Sequence, residues 1–367
     1  MNLEELRAQF PALETYVWLN SATAPPAARP VSEAIRRVID EWESGAFAWQ
    51  DWEGEAYATR SLFAELIGAD ADEVALASAV SYSASSVAAS LPKGRVVVGA
   101  REFRSNFFPW LALRERGFEV VEVPATDRDV VTTDALIEAL DGATVLVAIS
   151  EVQSINGYRV DLPRLVDAAH DRGARVFVDV CQSLGALRHD VRASGVDYLA
   201  AHCYKWMCGT RGASWLYVSR DRLDELKPLT PSWKTPEDPY ASYYGGAYEV
   251  PKAARKLDVS LAWFSWPGAR AALDMLLALD REAVERRALE LAEAFGEGAR
   301  ERGFEVTPVE LPTQIVGVKV PDAHALRERL KEQRVVAAER GGFLRIGFHG
   351  FNTQDDLRAG LEALGSP

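Results

Sequence analysis

The chain has 367 residues, 48% hydrophobic and 26% charged, the composition of a globular protein long enough for two lobes. A formal net charge of −13 argues against nucleic-acid binding through phosphates, while leaving room for a local basic pocket that takes a small anion. Cys181, Cys203 and Cys208 form neither a C-x-x-C pair nor a metal-ligand spacing, so the sequence points away from a bound metal and towards a reducing cytoplasm.

Residues 1–13 read as a charged amphipathic helix without the apolar core of a signal peptide. No later segment is apolar enough to predict a membrane-spanning helix. A strand-like run over 16–20 enters a Ser-Ala-Thr-Ala-Pro-Pro turn, and helices are predicted over 31–44 and 57–67, the second closed by Gly68. A strand over 74–80 runs into Ser81-Tyr82-Ser83, which opens a helix reaching residue 91. Amides and hydroxyls at such a start form an anion site, although serine-rich starts also serve as plain caps.

Strands over 95–100, 119–125 and 143–150 follow, with a helix over 133–140 between the last two. A helix over 162–171 returns the chain to strands over 175–180, 198–203 and 213–218. This alternation predicts an α/β fold with a mostly parallel sheet covered on both faces. No G-x-G-x-x-G follows a strand, which argues against a dinucleotide site. A polar, aromatic-rich loop after 218 reads as a pocket wall or a subunit contact.

The chemistry concentrates between 176 and 218. Asp179 ends a strand, Gln182 stands three residues on, and Lys205 lies 26 residues after Asp179 in a Tyr-Lys-Trp turn. Polar groups at the carboxyl ends of strands in an open α/β sheet are where ligands bind. A lysine there can form a Schiff base with an aldehyde cofactor, and an acid can keep a pyridine nitrogen protonated. Singly, Asp179 reads equally well as a helix cap and Lys205 as a surface charge; the ordered set carries the inference.

Other segments extend the pattern: Asn20-Ser21-Ala22-Thr23; Glu102-Phe103-Arg104-Ser105-Asn106 with Pro109-Trp110; Ser150-Glu151-Val152-Gln153-Ser154; Arg255 to Ser260; and Arg345-Ile346-Gly347 before Asn352-Thr353. Together with the Asp-Gln-Lys set they resemble the class V aminotransferases, a family of fold-type I enzymes that use pyridoxal 5′-phosphate (PLP). That family includes cysteine desulfurases, kynureninases and isopenicillin N epimerase-like proteins. The resemblance runs from Asn20 to Leu364.

It implies a large PLP-binding domain over 20–265 with a mostly parallel seven-stranded sheet. A smaller α+β domain would occupy 266–367, with strands over 305–307, 313–319 and 343–348, and an arm over 1–19 would pack on it. By the same resemblance Lys205 carries the cofactor and Asp179 holds its ring nitrogen. Gln182, His202 and Tyr204 surround it, Val80 and Ser81 grip the phosphate, and Phe103 stacks on the ring where desulfurases have His. Ala79 stands where the phosphate turn usually has Asn, Ser154 where the family has another Asn, and Glu151 where it has His. Arg345 would hold the substrate carboxylate, with Ala22 and Ser154 nearby. Ser260 would reach the phosphate of the neighbouring subunit in a homodimer with sites at the interface.

The activity implied is an aminotransferase for a small amino acid. A C–S or β-lyase, or an epimerase, is the alternative, and a catalytically silent binding protein is a distant third. Residues 333–344 hold no cysteine, which argues against a persulfide-forming desulfurase.

Overall fold

The computed structural model describes residues 1–366. After β1 (Val17–Trp18), seven strands form one sheet: β2 (Val74–Ala77), β3 (Arg95–Gly99), β4 (Glu119–Val123), β5 (Thr144–Ser150), β6 (Arg175–Asp179), β7 (Tyr198–His202) and β8 (Ser214–Val218). Their order in space is β2-β8-β7-β6-β5-β3-β4. Every pairing from β7 across to β4 is parallel, and β8 runs against both of its neighbours. The apolar runs of β3 and β6 suit strands buried on both faces. Val97, Val147, Val176 and Val178 fill one apolar layer, while Val96, Val98, Leu146, Ala148 and Phe177 fill the other. That alternation is the two-residue period of a pleated strand.

Several boundaries differ from the sequence expectation, and the helix expected over 1–13 spans only Leu3–Ala8 before a separate turn at Pro11–Glu14. β2 stops at Ala77 and the next helix begins at Val80. Val80, Ala84 and Val87, at i, i+4 and i+7, form the buried face of that helix. The helix expected over 57–67 begins earlier, at Trp49. Its start lacks a capping side chain; burial of Ala56 in the core and of Trp52 against Phe47, Trp263 and Phe264 holds the extra turns.

The later strands are β9 (Glu305–Val306), β10 (Ile315–Lys319), β11 (Val335–Val336), β12 (Ala338–Arg340) and β13 (Phe343–Gly347). An antiparallel sheet has the order β12-β13-β10-β9, and β11 pairs in parallel with β1. β11 and β12 were not among the expected strands, because two or three residues are too few to show alternation. Leu19 joins Leu291, Phe295, Val318 and Leu344 in the core of this lobe, whereas Leu6 and Phe10 enter the large core. The helix Trp266–Leu277 also packs its Trp266, Ala269 and Leu273 into the large core, and Arg281–Glu301 then carries the chain to the small sheet. Among the described residues no helix is long and apolar enough to cross a membrane.

Candidate active site

Parallel strands bring their carboxyl ends to one edge, and the site is built there. Asp179 closes β6; it is 6% exposed, and its Oδ1 accepts the Cys181 amide at 2.8 Å. Burial raises the pKa of this carboxyl, opposed by hydrogen bonding from Cys181 and by the Lys205 charge. Lys205 follows β7 in a tight turn and is 7% exposed. Burial lowers the pKa of its ammonium; Cys181 and Asp179 favour the charged form, while Arg345 and Arg340 oppose it. Gly185, at φ +111°, lets the Asp179–Gln182 turn lie against this lysine loop, because a Cβ there would strike the Trp206 carbonyl.

Lys205 Nζ stands 5.7 Å from the ring centroid of Phe103 and 5.9 Å from that of Tyr204. Phe103 is 53% exposed, so a flat apolar face is presented beside a buried amine. Its neighbour Glu102 fixes the loop. The Glu102 carboxylate accepts the Ser150 amide at 2.8 Å and Asn106 Nδ2 at 2.9 Å, and Asn106 Oδ1 accepts the Trp110 indole N–H at 3.2 Å. Burial raises the Glu102 pKa to about 7 in spite of these bonds.

A second corner gathers Gln182, Ser154, Ala22 and Arg345. Gln182 Nε2 donates to the Ala22 carbonyl at 3.0 Å and to Ser154 Oγ at 2.9 Å. Arg345, on β13 and 2% exposed, reaches Ser154 Oγ at 3.3 Å, the Ser154 carbonyl, and Thr23 Oγ1 at 2.8 Å. Its Nε has no partner. Burial, with the nearby charge of Arg340, lowers this guanidinium to about 9. A buried cation whose hydrogen bonds all go to neutral oxygens retains charge with which it can receive an anion.

The helix Val80–Ser90 packs against β7 and the 104–106 turn. Its N-cap, Ala79, offers no side-chain acceptor, and the Ser83 hydroxyl is buried without a partner. The first-turn amides at Val80 and Ser81 are therefore free to meet an anion. His202 has a buried, unpartnered Nδ1, and its ring lies 4.1 Å from that of Tyr204. Burial, with Lys205 and Arg211 adding to it, lowers its pKa to about 3, so the imidazole is neutral. Ser260 is exposed and outside this cluster.

Thus the structure brings Lys205, Phe103, Tyr204 and His202 together with Asp179 on one side, and Gln182, Ala22, Ser154 and Arg345 together on the other, while Val80 and Ser81 open a helix that packs against β7. Sequence reasoning missed three contributors. Thr23 lay unremarked in the Ser-Ala-Thr motif, and Trp206 directly follows the lysine. Arg340 sits on a strand too short to recognise. Glu151 turns out to bind His189 at 2.6 Å and Arg159 at 3.0 Å; burial raises its pKa, but the interactions with His189 and Arg159 outweigh burial and hold it at about 2.

The donor set fits PLP. A lysine, a ring-facing aromatic and a buried acid suit the pyridine aldehyde, and the uncapped helix start suits the phosphate.

Residues 18–359 match the family model described as Aminotransferase class-V. "Uncharacterized aminotransferase YcbU" of Bacillus subtilis is 30% identical over 367 residues, covering 98% of this chain and 97% of that protein. A "Probable cysteine desulfurase" of Methanothermobacter thermautotrophicus is 35% identical over 242 residues, 62% of this chain and 59% of its own. The structure of a C-DES variant with glycine covalently linked to its PLP cofactor has a TM-score of 0.86 at 21% identity, and the match covers 98% of each chain. The large mixed sheet with its smaller antiparallel partner is accordingly that of the fold-type I PLP enzymes. This chain belongs to the aminotransferase class-V family, whose members use PLP.

Proposed function

We propose that this protein is a PLP-dependent aminotransferase for a small amino acid, with Lys205 as the covalent anchor of the cofactor. One observation carries the reading: a buried Lys205 faces the open ring of Phe103 with Asp179 close by, and Arg345, whose charge acts on Lys205, has no carboxylate partner among the described residues. When bound, PLP supplies an electron sink for charge developing at the substrate Cα. Asp179 would hold the pyridine nitrogen in its protonated form and so deepen that sink. Phe103 would face the ring, and the amides at Val80 and Ser81 would hold the phosphate, with the neutral His202 and Tyr204 in supporting roles. Lys205 would anchor the cofactor, and its buried amine would serve to move the substrate Cα proton. Arg345 holds the α-carboxylate, oriented by Thr23 and Ser154.

A persulfide-forming desulfurase fits poorly. The 333–344 segment contains no cysteine, and Cys181, Cys203 and Cys208 are buried, with burial raising each thiol pKa. The buried, unpaired thiols also support a reducing, cytoplasmic setting.

We also propose a homodimer with the site at its two-fold interface. An exposed aromatic face, including Trp42, Phe47, Tyr240, Tyr243, Trp263 and Phe264, supports it. In this reading Ser260, exposed and close in sequence to Trp263, reaches the partner's phosphate.

The test is an amino-acid panel with the PLP-loaded protein and a keto-acid acceptor. Transamination yields a new amino acid and a new keto acid. Release of pyruvate and ammonia instead would make the enzyme a lyase, and loss of optical activity alone would make it an epimerase.

A further inference from the structure

Two arginines meet on one hydroxyl at the mouth of the site. Arg345 Nη2 donates to Thr23 Oγ1 at 2.8 Å, and Arg340 Nη2 reaches the same oxygen at 3.3 Å. The register explains the meeting. Ala338 on β12 pairs with Arg345 on β13, and Arg340 lies two residues beyond Ala338. Residues directly opposite share a face of the sheet, as do residues two apart on one strand. Arg340 and Arg345 therefore project from the same face. The tight turn between the strands is made by Gly341 and Gly342, both at positive φ.

Their settings differ. Arg345 is buried, and its second nitrogen is directed to Ser154. Arg340 is exposed at the rim; its other bond goes to the neighbouring Glu339 carbonyl at 2.6 Å. Neither guanidinium bonds to a carboxylate among the described residues. This is a chain with 54 acidic and 41 basic residues, and elsewhere arginines such as Arg37, Arg60 and Arg192 are paired. Two like charges held on one hydroxyl repel each other. The arrangement is relieved by two negative charges entering from outside, one deep and one at the rim.

We propose that the substrate is an amino dicarboxylate of the aspartate or glutamate type. Arg345 takes the α-carboxylate beside Lys205, Arg340 takes the side-chain carboxylate, and the Thr23 hydroxyl spaces the two guanidinium groups. This rests on the PLP reading for the position of the substrate amine. The anion pair itself stands on the two arginines.

The experiment uses the PLP-loaded full chain. Single-turnover reactions with L-aspartate, L-glutamate, L-alanine and L-norvaline are followed by cofactor absorbance. Succinate, glutarate and butyrate, which cannot react, are titrated by calorimetry. A dicarboxylate should exceed its size-matched monocarboxylate by about tenfold or more in both readouts, as a charge-assisted pair at a partly solvated site provides. Arg340→Ala should erase most of that preference, with a much smaller loss for alanine and norvaline. Arg340→Lys should restore part of it. Unperturbed cofactor absorbance and circular dichroism would show that each variant folds.

Equal use of norvaline and glutamate would overturn the proposal. So would an Arg340→Ala loss shared evenly by all four amino acids, which would put both arginines on one carboxylate. A protein that loads PLP on Lys205 yet prefers apolar amino acids defeats this inference alone. A protein that takes no PLP on Lys205 defeats the proposed function, and the succinate titration then still decides whether the arginine pair reads two anions.

Discussion

The indole N–H of Trp206 donates to Oε1 of Gln182 at 3.0 Å. This bond fixes which way the Gln182 amide faces, leaving Nε2 to serve Ala22 and Ser154. Ser154 in turn meets Arg345. The residue after Lys205 is thereby tied to the carboxylate corner. Trp206→Phe should leave Gln182 Oε1 buried and unpaired, at a cost of about 1–3 kcal/mol. A lower denaturant midpoint and a raised KM for the amino acid, with kcat less affected, are expected. An unchanged KM would show that Gln182 holds its orientation without the indole.

The purified holoprotein should be yellow, and borohydride reduction should fix the chromophore irreversibly on Lys205. Peptide mass spectrometry reads the adduct directly. Lys205→Ala should abolish the adduct while phosphate contacts retain part of the PLP affinity. A borohydride adduct on Lys234, the other lysine buried among aromatic rings, would reassign the site.

The spacing of Asp179, Gln182 and Lys205 made the core of the site legible, because backbone turns at strand ends impose a fixed order on those residues. Phe103 and its loop were legible for the same reason: Glu102, Asn106 and Trp110 interlock at i+4 intervals. Arg340 was not, since its position depends on a three-residue strand and a glycine turn whose pattern is too short to read. Thr23 also escaped notice, because its contact with Arg345 spans 322 residues and joins two lobes. The early start of the helix at Trp49 was hidden by the absence of a capping residue, tertiary burial supplying what local sequence did not.

Glu102 sets a pH dependence of stability. Its carboxyl is raised by burial from 4.5 to about 7, so the folded protein holds this proton more tightly than the unfolded chain. The stabilisation is complete below the unfolded value and disappears as pH rises through about 7. The shift corresponds to about 3 kcal/mol in the limit. Glu102→Gln, which has no proton to lose, should flatten the wild-type decline between pH 5 and 8, measured by urea unfolding of the apoprotein. Parallel pH profiles for the two proteins would show that Glu102 ionises normally.

Self-association should depend on the exposed aromatic face. Light scattering should give a dimer for the wild type. Phe264→Asp, placing a charge beside Trp42 and Trp52, should shift it towards monomer and lower PLP occupancy, because Ser260 of one chain would no longer reach the other. A wild-type monomer that holds PLP and turns over at full rate would rule out the shared site.

Arg345 is the sharpest probe of substrate polarity. It is buried, its bonds go to Ser154 and Thr23, and its Nε is free. If it binds the α-carboxylate, Arg345→Ala should leave cofactor absorbance intact, since its hydrogen bonds go to Ser154 and Thr23 and none goes to Lys205, Asp179 or the start of the Val80 helix. Removing one partner of a buried charge pair typically costs about 2–5 kcal/mol, so kcat/KM should fall by about two to three powers of ten. Arg345→Lys keeps a charge but loses the planar fork and should recover little. Amines lacking the carboxylate should react poorly with the wild type and be nearly indifferent to the substitution. Efficient turnover of decarboxylated analogues, or loss of PLP instead of substrate affinity in the alanine variant, would remove Arg345 from the carboxylate site and weaken the amino-acid reading with it.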